Sequence, residues 1–148
     1  MRKPIFLAAV AACLLTLPAV AEAKLANAIV QRTNRFRRAH GLPPLRVSRK
    51  LSQVALRHAR NMARKNRMAH VLGGRDAGQR LTRAGYRWSN YGENVAWGYK
   101  GVRKVVRSWI KSKPHRKNLL NRKVTEIGVG VAYRKGTPFY CQVFARPQ

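Results

Sequence analysis

Acid is what this sequence has least of. Against 32 Lys and Arg it carries four acidic residues, and its formal net charge is +28. Such a chain repels itself, because charges within ~8 Å of one another still interact at physiological salt. Folding therefore has to rest on apolar burial, and the surface should seek anions. Each acid, Glu22, Asp76, Glu93 and Glu126, calls for a reason. Cysteine is equally scarce, with only Cys13 and Cys141. If Cys13 is lost with a leader, no intrachain disulfide can form, and Cys141, set in an alternating apolar stretch, reads as a small core residue. Internal repeats, low-complexity runs and interdomain linkers are also missing, which leaves one domain.

The N-terminus reads as an export signal. Arg2 and Lys3 give a positive start, Ile5 to Val20 is mostly apolar, and Ala21-Glu22-Ala23 is a small-x-small cleavage pattern. The apolar stretch is too short for a good membrane span, which needs ~20 residues. Residues 1–23 are expected to be a signal peptide, leaving residues 24–148 as a single domain without a transmembrane segment. A rival is lipoprotein processing at Cys13, after Val10-Ala11-Ala12; it would leave Leu14 to Val20 as an odd apolar start. Cleavage after Ala23 is expected to make the protein secreted or periplasmic. Lipopolysaccharide, other anionic envelope polymers and anionic lipids then become better partners than nucleic acid. For nucleic acid no helix-turn-helix, zinc-finger or RNA-sheet signature supplies readout. Basic composition serving solubility alone is the bland alternative.

Along the chain, Leu25, Ile29 and Phe36 recur at helical spacing over 25–39, with Arg35, Arg37 and Arg38 off the stripe. Gly41 and Pro43-Pro44 stop that helix. Ser48 can cap a second helix, to about Ala69, with Leu51, Ala55, His58 and Met62 on one face. His58 on that stripe reads as a core histidine. Asp76 and Gln79 form a capping-box pattern for a short helix to about Ala84, with Gly85 as its stop. Tyr91 to Gly98 reads as a strand with Glu93, Val95 and Trp97 on one face. Val102, Val105, Val106, Trp109 and Ile110 mark a helix to about Lys111, broken by Lys113-Pro114, and a short helical turn follows His115. Glu126 to Tyr133 and Phe139 to Ala145 alternate as a hairpin about Gly136. Gly128 and Gly130 beside Glu126 leave room for a cleft, or let another backbone approach closely. Helices on both faces of antiparallel strands make an α+β layered domain.

With Asp76 spent as a cap, the candidate site residues are His70, Glu93, His115 and Glu126. Two imidazoles and two carboxylates suit zinc or another divalent metal, or histidines oriented by acids. The alternative is four separate structural roles, because no close pair such as HExxH or CxxC joins them. Ser89, Ser108 and Ser112 lack a nucleophile motif such as GxSxG, so no catalytic residue is assigned.

Asn34-Arg35, Gly41-Leu42-Pro43-Pro44-Leu45, His58-Ala59, Met62-Ala63, His70, Ala84-Gly85-Tyr86, Gly92-Glu93-Asn94-Val95-Ala96, Pro114-His115-Arg116-Lys117-Asn118-Leu119-Leu120 and Thr125-Glu126-Ile127-Gly128-Val129-Gly130 together resemble the CAP superfamily (SCP domain), bacterial branch. The match runs from about Leu25 to Ala145. The resemblance implies an α-β-α sandwich around a small, about three-stranded antiparallel sheet, with a cleft lined by His70, Glu93, His115 and Glu126. The loop Val71-Leu72-Gly73-Gly74 departs from the family's usual polar sequence. What the resemblance implies is a binding module for a divalent metal or a small, lipid-like ligand. The enzyme alternative is a metal-assisted hydrolase of peptide, ester or cell-wall bonds with Glu93 or Glu126 as base.

Overall fold

A computed structural model describes residues 17–148. The start and most of the apolar part of the expected leader, including Cys13, lie outside the described residues. Helix α1 spans Leu17–Ala39 and runs through the expected cleavage site, eight residues longer at its N-terminal end than the stripe beginning at Leu25 predicted. Among the described residues no helix is long and apolar enough to cross a membrane.

Helix α2, Arg49–Lys65, starts where Ser48 Oγ accepts from the Leu51 amide. It ends four residues before the expected Ala69. Asn66 takes a left-handed conformation (φ 48°) and returns its amide to Met62 and Ala63, a stop that asparagine tolerates better than most residues. Helix α3, Ala77–Arg83, has the capping box expected of Asp76 and Gln79. The strand expected over 91–98 is longer, β2 at Trp88–Trp97, with Trp97 53% exposed at its end. Helix α4, Val102–Lys111, buries Val105, Val106 and Trp109. Proline does not merely break the chain after it: at the start of a helix its missing N–H costs nothing, and α5 runs Lys113–Leu119.

Strands β3, Glu126–Arg134, and β4, Thr137–Pro147, form the expected hairpin. Its turn has positive φ at both Lys135 and Gly136, the twist that suits a two-residue hairpin. The antiparallel trio β3-β4-β2 is extended by a fourth, two-residue strand, β1 at Arg46–Val47, parallel to β3. The sheet is therefore mixed and four-stranded, where three antiparallel strands were expected.

Helices cover both faces. One core layer joins Leu51, Val54, Ala55 and Met62 of α2 to Val95, Cys141 and Val143. The other joins Ile29 of α1 and Val105, Val106 and Trp109 of α4 to Ile127, Val129, Val131 and Phe144. The glycines of β3 decide the first layer's spacing. A Cβ on Gly128 would lie 2.2 Å from the backbone of Leu51 and Ser52, and one on Gly130 2.3 Å from Leu56. Of the two readings of that face, the close backbone approach is the one realised: α2 lies directly on the sheet beside Glu126. Arg37, placed off the apolar stripe by spacing, is 1% exposed. Its guanidinium donates to the carbonyls of Pro43, Leu119 and Asn121, tying α1 to the end of α5.

Candidate functional site

Glu93 sits in the middle of β2, 7% exposed. Both of its oxygens are engaged. Oε1 accepts from His70 Nδ1 at 2.9 Å; Oε2 accepts from Arg80 Nη2 and, at 3.4 Å, from the Cys141 thiol. Burial alone would raise the carboxyl's pKa, but the His70 hydrogen bond and the Arg80 charge outweigh it and hold the pKa below the usual range. A carboxylate can only accept, so Nδ1 of His70 carries a proton and Nε2 is left facing outward on a side chain 56% exposed. Burial and the nearby Glu93 push the Cys141 thiol well up, so it remains a protonated donor.

His70 reaches Glu93 because α2 stops early. The loop after Asn66 is pinned where His58 Nε2 donates to the Ala69 carbonyl at 2.8 Å, and where Arg80 Nη1 donates to the carbonyls of His70 and Arg75 at 2.8 Å. His58 is thus a buried post, as its place on the apolar stripe suggests. Arg80 is central, yet nothing in the sequence separates it from the other basic residues.

His115, half-buried on α5, is positioned by amides that spacing did not single out. Asn118 Nδ2 donates to the Glu93 carbonyl and to Asn94 Oδ1, both at 2.9 Å. Asn94 Nδ2 donates to the His115 carbonyl at 3.3 Å and to Gln142 Oε1 at 3.2 Å, and Gln142 Nε2 reaches Thr33 of α1. This ladder explains why glycine precedes Glu93: a Cβ on Gly92 would meet Asn118 Oδ1 at 2.9 Å. Burial lowers the His115 pKa, and its proximity to His70 lowers it further. His115 also borders a cavity of about 500 Å³, with Met68, Trp97, Tyr99 and Trp109 in its lining.

Glu126 stands apart. Its partners are Arg46 and, at 2.7 Å, the hydroxyl of Tyr86. Burial raises its pKa and these partners more than offset that, lowering it overall. It shares the α2 face of the sheet with Glu93, but the register puts it two strands across and two residues along. With strands ~4.8 Å apart and ~3.3 Å per residue, that is a Cα separation on the order of 12 Å. The structure brings His70, Glu93 and His115 into one neighbourhood and ties Glu126 to β1 and Tyr86.

Among the described residues no three of His, Cys, Asp and Glu are grouped so as to hold a metal ion. A divalent ion would find two imidazoles, His70 through Nε2 and His115, with Glu93 behind His70 in the manner of a carboxylate that orients a ligating histidine. That is one protein donor fewer than a catalytic zinc site and two fewer than a structural one. The donor set fits only an exchangeable ion completed by water or ligand.

The profile of the CAP, or cysteine-rich secretory protein, family matches residues 30–144. The Bacillus subtilis (strain 168) protein YkwD is 36% identical over 103 residues, 69% of this chain and 40% of that relative. The crystal structure of an extracellular protein containing an SCP domain from Bacillus anthracis str. Ames superposes with a TM-score of 0.79 at 33% identity, over 84% of this chain and 41% of that one. An outer surface protein from Borrelia burgdorferi, 21% identical, shares the fold at a TM-score of 0.77 over 81% of this chain and 90% of its own. The chain thus spans about two fifths of the first two. With the family profile covering nearly the whole layered domain, and with the Gly92-Glu93-Asn94 and His115 segments joined in one hydrogen-bonded cluster, the chain belongs to the cysteine-rich secretory protein (CAP) family.

Proposed function

We propose that this protein is an exported CAP-domain binding module whose basic surface holds anionic envelope lipid and whose His70–Glu93–His115 neighbourhood takes a small ligand. The observation that carries the reading is where the acids are. Asp76 is spent on a helix cap, Glu93 on His70 and Arg80, and Glu126 on Arg46 and Tyr86, so the surface cations are left without internal counter-charges. They flank an apolar floor in a groove of about 380 Å³ between α1 and α4. There exposed Arg32, Arg35, Arg103 and Arg107 border Phe36, Val106 and Ile110. Phosphate groups over the arginines and acyl carbons on the floor match that pattern, which favours a lipid over a purely polar polymer. The extracellular and outer-surface descriptions of two structural relatives agree with an envelope location.

The hydrolase alternative needs a carboxylate free to take a proton near neutral pH. Glu93 and Glu126 both have cationic partners and lowered pKa values, which makes either a poor base.

The test is co-sedimentation with phosphatidylglycerol-containing vesicles in 150 mM salt. At ~1 kcal/mol per basic residue near an anionic surface, replacing Arg32, Arg35, Arg103 and Arg107 by Ser should weaken binding by more than a hundredfold. Replacing Lys65, Arg67, Arg122 and Lys123 by Ser should cost far less. Equal losses in the two variants would refute a defined lipid face.

A further inference from the structure

The cavity that His115 borders, between the end of β2 and helices α4 and α5, carries no charge of its own. No Lys, Arg, Asp or Glu lines it, although the chain has 32 Lys and Arg. Val95, Ala96 and Trp109 in its lining are buried, whereas Met68, Trp97 and Tyr99 are exposed at its edge. Large apolar side chains scattered singly over a surface need no explanation. Here three meet at one opening of about 500 Å³, within the range of ~300–1,000 Å³ typical of small-molecule sites. Uncharged walls in so basic a chain select a neutral ligand, since an anion gains more from the arginines elsewhere.

The two aromatic rings at the edge are supported from behind. Trp97 stacks on Phe139, with centroids 6.2 Å apart and planes 25° from parallel, which leaves its other face free. Tyr99 is fixed through its backbone, where the Tyr140 hydroxyl donates to the Tyr99 carbonyl at 2.6 Å. Their polar atoms are uncommitted. The Trp97 Nε1–H, the hydroxyls of Tyr99 and Ser112 and the His115 ring all belong to the lining, and none makes a hydrogen bond within the described part of the protein. Ser112 stands at the N-cap of α5, where serine usually bonds to the helix, yet its side chain makes no cap bond.

Free aromatic faces beside neutral groups that donate and accept describe a site for a pyranose sugar. In a β-linked hexose whose substituents are equatorial, the axial C–H bonds make flat apolar faces and the hydroxyls form a polar edge. An indole N–H donates, a hydroxyl does both, and a neutral imidazole offers one donor and one acceptor. An acyl chain would cover these four groups without pairing them, and a nucleotide would bring charge to walls that have none to meet it.

We infer that this cavity binds a neutral, β-linked hexopyranose sugar, with Trp97 and Tyr99 stacking on the ring and Ser112 and His115 bonding to its hydroxyls. The inference rests on the reading that the His70–Glu93–His115 neighbourhood takes a small ligand, and it names the class of that ligand. It does not depend on the α1–α4 groove.

The test is an NMR titration of the three tryptophan indole N–H groups with chitotriose and with cellotriose, in 150 mM salt. Trp97→Phe identifies the Trp97 resonance by removing it. That resonance should move saturably with at least one of the sugars, while that of Trp88, at the far end of β2, stays still. Tyr99→Ser/Ser112→Ala should weaken binding about tenfold, because a stacking ring and a hydrogen bond each contribute a factor of about 2 to 10. Both side chains lie outside the buried core, so this variant keeps the fold. Arg32→Ser/Arg35→Ser should change the affinity less than about twofold, since a neutral sugar gains nothing from those charges. Decanol, a neutral lipid-like probe, separates the inference from the reading beneath it. A Trp97 response to decanol alone would overturn the sugar assignment and leave the small-ligand reading standing; silence with all three probes would remove the cavity from ligand binding altogether. A sugar response that Tyr99→Ser/Ser112→Ala leaves unchanged, or that appears at Trp88 instead, would also overturn the inference.

Discussion

Replacing Glu93 by Gln removes one negative charge and almost no volume, so its effect can be worked from the hydrogen bonds. Arg80 has donors only, so the single amide oxygen of Gln must face Arg80 and Cys141, where Oε2 stood. The NH2 group is then turned toward His70 Nδ1, where Oε1 stood, and two donors cannot face each other. His70 must shift its proton to Nε2. Removing one member of a buried ion pair costs about 3–5 kcal/mol. Because the amide keeps a bond to Arg80 and the flipped tautomer keeps one to His70, the lower end, about 3 kcal/mol, is expected. For a domain of this size that lowers Tm by about 10 °C, out of a total stability on the order of 5–15 kcal/mol. The effect has a definite pH dependence. Glu93's pKa is lower folded than unfolded, so its stabilisation is present above the unfolded value of about 4.3 and is lost as pH falls through the folded value. Calorimetric scans should show the gap between wild type and Glu93→Gln at pH 7 closing as the pH is taken down from about 4. Nitrogen NMR should show the His70 proton on Nδ1 in the wild type and on Nε2 in the variant. A Tm difference of less than about 2 °C at pH 7, or a gap that persists in acid, would refute the ion-pair argument.

Gly130→Ala should be among the most destabilising single changes. Its Cβ would lie 2.3 Å from the α2 backbone at Leu56, and forcing the helix off the sheet costs at least the 1–3 kcal/mol of ordinary overpacking; a urea midpoint equal to wild type would contradict the close approach. Arg37→Met should leave the carbonyls of Pro43, Leu119 and Asn121 without their donor, at ~1–3 kcal/mol for each one that water cannot reach. Amide exchange should accelerate in α5 before it does in β4, and uniform acceleration would count against this local role. Zinc calorimetry on wild type and on His70→Ala/His115→Ala should show a heat that the double variant loses, and identical traces would remove these imidazoles from metal binding.

Much of the architecture was legible because apolar periodicity is local. The α4 stripe, the Asp76–Gln79 box and the β3–β4 alternation each concern residues adjacent in sequence, and each element formed where its pattern lies. What escaped was set by residues far apart. Two-residue β1 has too few positions for a period, and its pairing depends on where β3 lies. Arg37 looks like any other surface arginine until α5 brings two carbonyls to it. At the site, His70 and Glu93 were legible as scarce polar groups, although Glu93 lies in the middle of β2 rather than at the start of a strand. Arg80 was not, because a basic residue among 32 carries no signal of its own. Asn94 and Asn118 lay within the motifs that carried the family resemblance, but their role emerged only when Gly92 proved to be the space Asn118 occupies.

The scarcity of acid thus has a structural meaning. In a chain with a normal balance of charge, carboxylates can be spent on surface pairs that contribute ~0–1 kcal/mol each. Here Asp76, Glu93 and Glu126 stand where a carboxylate accepts two or more hydrogen bonds or caps a helix. Where an acid would be the usual partner of a buried cation, neutral acceptors replace it, as at Arg37 and at the Nη1 of Arg80. The interior needs few acids because carbonyls and amides do their work, and the exterior is left without counter-ions. A positive surface is then compatible with a stable core, because apolar packing and buried hydrogen bonds hold α1, α2 and α5 to the sheet. It follows that charge can be removed from the face proposed to bind anions without loosening the Glu93 cluster, and this lets the binding predictions be tested separately from folding.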